Sequence, residues 1–263
     1  MNLGRVKTFL IILFLGINIF LVASHISSTR FTIDDKTIED TISIIKDYGI
    51  TIDKDTVFRY TVNLRNVDAN NVLYSDAFKK KNKDHRFSFD ENSFAASFKA
   101  KGILKKNDRE IKNHVISRLE DYGFSTDHME FGSMRKTSGG KSFNIYCKIK
   151  KYLIFDNRIT VNIDDNSFDV KGMWYEPTTN DISMNSHSRK TVYITSVLMD
   201  LTDNPDAKKN LPFTITDIDY GYLSGSIYGS GGHVTATALP YYRIKDNKGN
   251  VYYYDASNGK YFK

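Results

Sequence analysis

The residues of this chain that could do chemistry are few and scattered. Gly139-Gly140-Lys141-Ser142 ends like a phosphate-binding loop. That loop needs a glycine five residues before Gly140, where Arg135 stands, and a helix after it, where an alternating strand pattern follows. Gly229-Ser230-Gly231-Gly232-His233 is glycine-rich but lacks an adjacent lysine, and reads as a hairpin connection. His25, His85, His114, His128, His187 and His233 form no pair at metal-ligand spacing, and no nucleophile elbow occurs. Cys147 is the single cysteine, so it forms no intrachain disulfide. It falls on an alternating strand, where a small buried apolar role is expected. Acidic pairs such as Asp34-Asp35 and Asp164-Asp165 suit turns and helix starts. The expectation is a protein without catalytic, metal or cofactor-binding residues.

The elements that would position any site come from composition and periodicity. The chain has 263 residues, 40% of them hydrophobic, which suffices for a packed core. Its 17 Tyr and 17 Phe, with few prolines, favour strands. The formal charge is +6, of which Arg5 and Lys7 supply two. The remaining excess is too small and diffuse to indicate nucleic acid. Lys79-Lys80-Lys81-Asn82-Lys83 reads as a solvated loop, with contact to anionic lipid or wall polymer as the functional alternative.

Residues 8–26 contain no acidic residue, lysine or arginine, and those between Phe9 and Ala23 are almost all apolar. As a helix they span about 28 Å, close to a bilayer core. Residues 1–7, with Arg5 and Lys7, are then a cytoplasmic tail, and the rest of the chain is extracellular. The competing reading is a cleaved signal peptide ending at the small residues Ala23-Ser24. Within the span, Gly16 and Ala23 share a face where a second helix could approach closely, and Asn18 points to another face with a hydrogen-bonding amide. These three residues are the candidate partner-binding positions.

An internal repeat organises the middle of the chain. Lys46-Asp47-Tyr48-Gly49-Ile50 recurs as Glu120-Asp121-Tyr122-Gly123-Phe124, and Asp90-Glu91-Asn92-Ser93-Phe94 as Asp164-Asp165-Asn166-Ser167-Phe168. Both offsets are 74 (121 − 47 and 164 − 90). Each copy opens with a helix, carrying Ile38, Ile42 and Ile45 or Ile111, Val115 and Leu119 at helical spacing, and stops at Tyr-Gly. Strands follow, with Phe143, Ile145, Cys147 and Ile149 alternating against polar residues, then Ile159, Val161 and Ile163. The expected fold class is α+β: an N-terminal transmembrane helix, duplicated helix-plus-antiparallel-sheet modules at 30–105 and 106–182, and a third helix-plus-sheet unit at 185–263. In that unit residues 188–201 read as a helix, followed by strands near 213–222, 234–244 and 251–255.

Two groups of residues carry a family resemblance. The first is Lys7-Thr8, Phe14-Leu15, Ile17-Asn18 and Phe20-Leu21 in the anchor. The second is Asp217-Ile218-Asp219-Tyr220-Gly221-Tyr222, then Pro240-Tyr241-Tyr242-Arg243-Ile244, then Tyr252-Tyr253-Tyr254-Asp255-Ala256 and Gly259. On these the chain resembles the YycH/YycI family, and its shorter YycI branch in length and layout. It departs where Leu3-Gly4 replaces the usual N-terminal Trp and where Tyr242 stands in place of a more frequent Trp. The resemblance implies a single-pass, membrane-anchored extracellular regulator of an essential WalK/YycG-type two-component system that controls cell-wall homeostasis. Its implied partners are a YycH-like regulatory protein and the sensor histidine kinase, met through the transmembrane helix and the ectodomain. The family offers no catalytic residues to carry over. The rival readings are a secreted inhibitor or scaffold that binds a peptidase or wall polymer, and a secreted wall-active enzyme.

Overall fold

The computed structural model describes residues 13–19, 32–61, 63–64, 66–70, 87–90, 93–177, 189–228 and 235–262. Residues 13–19 are helical, and no helix among the described residues is long and apolar enough to cross a membrane. Residues 8–12 and 20–26 of the expected anchor, the lysine run 79–83 and the glycine-rich 229–233 lie outside the described residues.

The chain is α+β and sheet-rich. Helices α1 (Asp35–Asp47), α2 (Asp108–Asp121), α3 (Ile194–Asp203) and the short α4 (Pro205–Asn210) accompany a 13-stranded mixed sheet. Its principal strands are β5 (Ser93–Lys99), β8 (Gly140–Ile149), β9 (Tyr152–Ile163), β10 (Ser167–Gly172), β13 (Phe213–Tyr228), β14 (Thr235–Asp246) and β15 (Val251–Asp255). Along the main path β14 neighbours β13, which neighbours β9, then β10, β5 and β4 (Phe87–Asp90); β15 lies on β14 and β8 on β9. A separate ribbon pairs β12 (Arg189–Lys190) with β2 (Asn63–Leu64).

The helix ends repeat as the sequence suggests. Asp34 caps α1 through Thr37 N–H, and Asn107 with Glu110 forms a capping box on α2. At the other ends, Tyr48 and Tyr122 precede Gly49 and Gly123, whose φ values of 85° and 96° favour glycine. The hairpin halves of the repeat meet edge to edge. β5 and β10 pair antiparallel with Ala96 opposite Val170, residues 170 − 96 = 74 apart. The two hairpins, β4–β5 and β9–β10, are therefore related by a local two-fold through that pair, and Phe98 stacks on Phe168 across it at 4.9 Å.

The packing does not follow the repeat as two self-contained modules. One core joins α2 (Ile111, Val115, Leu119) to β5, β8, β9 and β10. The other joins α1 (Ile38, Ile45) to α3 (Val197, Leu198, Leu201) and to β13–β15, with β1 (Ile50–Ile52) parallel to β13. The first helix thus packs with the C-terminal strands, while β5 of its own copy belongs to the other core. Helix α3 also begins later than residue 188. Thr191, Val192 and Tyr193 are strand formers, and Val192 N–H is tied to Ala256 O at 2.8 Å, so helix starts at Ile194. Tyr220 packs against both cores and bridges them.

On β13, Ile218 and Tyr222 reach the two cores from the same face of the strand. The helices therefore lie on one side of the sheet, and no helix of the described residues packs on the other.

His114 of α2 is half-buried, edge-on to Phe168 at 6.0 Å, and its Nε2 finds no hydrogen-bond partner among the described residues. Desolvation, then Lys106 and Arg118, hold its pKa below the ordinary histidine value. The unfolded chain takes up this proton first, near pH 6.5, so stability is flat above that pH and falls as pH drops below it. Thermal melts between pH 7 and 5 should show a smaller loss of Tm in His114→Gln than in wild type; equal slopes would contradict this assignment.

Candidate functional site

The C-terminal segments that carry the family resemblance become cross-strand neighbours. Register sets Asp219 opposite Arg243, Tyr220 opposite Tyr242 and Gly221 opposite Tyr241. On the next strand Arg243 faces Tyr253 and Tyr242 faces Tyr254. Strand alternation then sorts these residues onto two faces.

The helix-side tyrosines are structural ties. Tyr242 OH donates to Val192 O, Tyr220 OH lies 2.8 Å from it, and Tyr254 OH accepts from Asn204 Nδ2 at 3.1 Å. Burial pushes the Tyr220 phenol up to about 12 and raises Tyr242 and Tyr254 as well. These hydroxyls stay protonated and serve as hydrogen-bonding groups.

The open side holds Asp219, Arg243, Lys245, Leu223, Tyr241 and Tyr253. Arg243 is only 9% exposed. Its Nε and Nη2 both donate to Asp219 Oδ2, at 3.0 and 2.5 Å, and its guanidinium lies 4.1 Å over the Phe155 ring. A buried guanidinium requires such compensation, here one carboxylate and one aromatic face. Lys245 joins Asp217 at 2.5 Å to Asp219 at 3.2 Å. Burial pushes the Asp219 carboxyl up, but Arg243 and Lys245 outweigh it and hold the group below the usual carboxylate range. The aspartate is a fixed anion in a saturated network.

Phe155 reaches this face because β9 is bulged. Tyr146 of β8 pairs with Arg158 and the next residue, Cys147, with Ile154, leaving Phe155, Asp156 and Asn157 as extra residues. Each goes a different way. Phe155 lies under Arg243, above a position that only glycine can occupy: a Cβ on Gly221 would sit 2.4 Å from Phe155 Cζ and 2.5 Å from Leu153 O. Asp156 accepts from Ser224 N–H at 2.9 and 3.1 Å and from Ser224 Oγ at 3.1 Å. Asn157 is buried and acts as one residue of a missing strand. Its Nδ2 donates to Tyr175 O at 2.6 Å and its Oδ1 accepts from Tyr175 N–H at 3.0 Å. The Cys147 thiol also donates to Tyr175 O, at 3.4 Å, and burial raises its pKa. As expected from its alternation, Cys147 is a buried core residue.

Two hollows of about 480 Å³ each flank Phe155. One is lined by Lys150, Lys151, Leu153 and Asp219. The other is lined by Asp156, Arg158, Lys171 and Tyr253, and Ser93 and Thr160 add hydroxyls. No group of three or more His, Cys, Asp or Glu placed to hold a metal occurs among the described residues.

Of the partner-binding positions expected in the anchor, Gly16 and Asn18 lie on the helical residues 13–19, and Ala23 lies outside the described residues. Asn18 Nδ2 donates to Phe14 O of its own helix at 2.9 Å, and nothing lies within 4 Å of a Cβ built on Gly16. The bulge residues and Tyr175 were not among the candidates. Their signal is Asp156-Asn157, a turn-forming pair inside an apolar run, which breaks the alternation leading to Ile159.

No protein-family model and no curated protein matches the chain. Among solved structures, an uncharacterized protein from Eubacterium rectale ATCC 33656 aligns at 9% identity and a TM-score of 0.47, over 89% of this chain and 93% of that chain. The Bacillus megaterium YpeB C-terminal domain aligns at 9% identity and a TM-score of 0.35, over 88% and 96%. Both likenesses are distant.

Replacing Asn157 by Ala removes the amide donor to Tyr175 O and the acceptor of Tyr175 N–H, while the Cys147 thiol stays on the carbonyl. Urea unfolding should show a loss of about 1–3 kcal/mol, the cost of roughly one buried unsatisfied group. A loss below about 0.5 kcal/mol would mean that the clip contributes nothing beyond ordinary surface contacts.

Proposed function

We propose that this protein is a membrane-tethered extracellular regulator of a sensor histidine kinase, of the YycH/YycI kind, acting by contact rather than catalysis. In this reading residues 8–26 hold the chain in the cell membrane beside the helices of the kinase. The body that follows pairs with a YycH-like protein. What supports the reading is that the three separate C-terminal segments that carry the resemblance meet on adjacent strands, with Asp219 opposite Arg243 and Arg243 opposite Tyr253. Their polar groups are used up in mutual pairs, which suits a rigid recognition surface. Regulation then requires that the protein bind one signalling state of the kinase better than the other.

The test is an affinity pull-down of the full-length chain from native membranes. A histidine kinase and a YycH-like protein should both be recovered. Gly16→Leu, which blocks close helix approach, and Asn18→Leu, which removes the amide, should each reduce recovery of a different partner. Recovery of neither protein by wild type would contradict the proposal.

A further inference from the structure

The chain enters its folded body at one fixed point. Thr32 forms an antiparallel bridge with Tyr60, and Ile33 N–H donates to Arg59 O at 2.7 Å. Tyr220 OH donates to Tyr60 O at 3.2 Å, and Phe58 stacks on the Tyr220 ring at 4.8 Å. The entry point is thus fastened to β13 and, through Tyr220, to both cores.

Chain length sets how near that point lies to the lipid. Thr32 follows Ile26, the last residue of the proposed anchor, by six positions (32 − 26). Fully extended, six residues reach about 20 Å at most. A compact body of this size is about 40 Å across, and the polar layer on each side of a bilayer is roughly 5–8 Å deep. The face around Thr32 is therefore held close to the headgroups, and the opposite face is kept away from them.

The side chains on that face suit this position. Tyr60 keeps 46% of its surface exposed, although its backbone is fixed on both sides. Its ring combines an apolar body with a polar tip, the type that settles at headgroup level. Beyond Tyr220 come Lys150 and Lys151 at the β8–β9 turn; all three border one hollow. Both lysines are exposed, and Lys151 Nζ stands over the Tyr152 ring at 5.3 Å. The neighbouring carboxylates have cations of their own: Asp35 pairs with Arg59 at 3.1 Å, Glu130 with Lys148 at 2.9 Å, and Asp219 with Arg243 and Lys245. Asp34 and Lys36 balance in charge, so the excess on this face is Lys150 and Lys151. Lysine charge by itself does not choose among anions. The tether does, because it puts a bilayer within reach.

We propose that this face rests on the headgroups of the membrane that holds the anchor, with Tyr60 at headgroup level and Lys150 and Lys151 toward anionic lipid. The proposal rests on the membrane-tethered reading above and adds to it the orientation of the body.

The test uses the full-length chain in nanodiscs whose lipids carry bromine high on the acyl chain, a short-range quencher of tryptophan. Trp174 is the single tryptophan and is fully buried, so wild type gives the unquenched baseline and its emission reports that each variant is folded. The emission added by Tyr60→Trp should be quenched by at least about a third in phosphatidylcholine with about 30% phosphatidylglycerol, and less in phosphatidylcholine alone. Tyr48→Trp places the same probe on an exposed site at the far end of α1, about 20 Å from its start, and should lose less than about a tenth. Adding Lys150→Gln and Lys151→Gln to Tyr60→Trp should bring quenching in the anionic lipid down to the neutral-lipid level. No quenching at position 60, equal quenching at positions 48 and 60, or no response to the lysine changes would each overturn the proposal. A blue-shifted yet unquenched indole at position 60 would mean that protein covers the face, a second copy or a partner, and would overturn it too. Co-elution with the nanodiscs separates the two readings. A chain that does not co-elute overturns the anchor and this proposal together; one that co-elutes with position 60 unquenched overturns this proposal alone.

Discussion

A β-strand has two edges, and β9 must serve three partners. One edge pairs with β8 except at Phe155, Asp156 and Asn157. The other runs parallel to β13 at Leu153 and Ile154, then antiparallel to β10 from Ile159 to Ile163. A regular strand cannot change neighbours without leaving backbone groups unpaired where the two diverge. The bulge at Phe155, Asp156 and Asn157 answers that constraint with side chains. Asp156 takes the Ser224 N–H on the β13 side, and Asn157 takes both backbone groups of Tyr175 on the β10 side. The sheet thereby continues from one helix-backed core to the other, and the open face gains its hollows where the strands part.

Charge on that face follows from the same geometry. The bulge turns Phe155 outward, Gly221 leaves room beneath it, and Arg243 covers it while pairing with Asp219. Once Arg243 and Lys245 have consumed the central carboxylates, the cations at the periphery are left facing solvent. The tyrosines that dominate the C-terminal sequence do a different task. Tyr220, Tyr242 and Tyr254 point to the helix side, where their hydroxyls fasten loops and helix ends to the sheet. Among the described residues, these outer cations have no carboxylate partner.

Much of this was legible in the sequence because the signals are local. Helix ends at Tyr48-Gly49 and Tyr122-Gly123, the alternation of Phe143, Ile145, Cys147 and Ile149, and the 74-residue offset all express short-range rules of capping and pleat. The cross-strand meeting of Asp219 with Arg243 was foreshadowed only as a list of segments resembling one family. The rest depends on contacts far apart in the chain. Nothing near Ile38 or Ile45 states that α1 packs on α3 instead of its own hairpin, because its apolar stripe suits either surface. Helix α3 starts at Ile194 and not near residue 188, since Val192 is held by Ala256, a residue 64 positions later (256 − 192). The bulge left one faint trace, Asp156-Asn157 within an apolar run, whose meaning depends on Ser224 and Tyr175.

The bulge as the joint between the two cores is most directly tested by native-state hydrogen exchange at two amides. The N–H groups of Ser224 and Tyr175 are held by side chains of the bulge, Asp156 and Asn157. If the joint opens only when the whole protein unfolds, both should exchange as slowly as the ladder amides of β13 and β14. Exchange at the rate of an exposed loop, while β13 and β14 stay protected, would contradict the account.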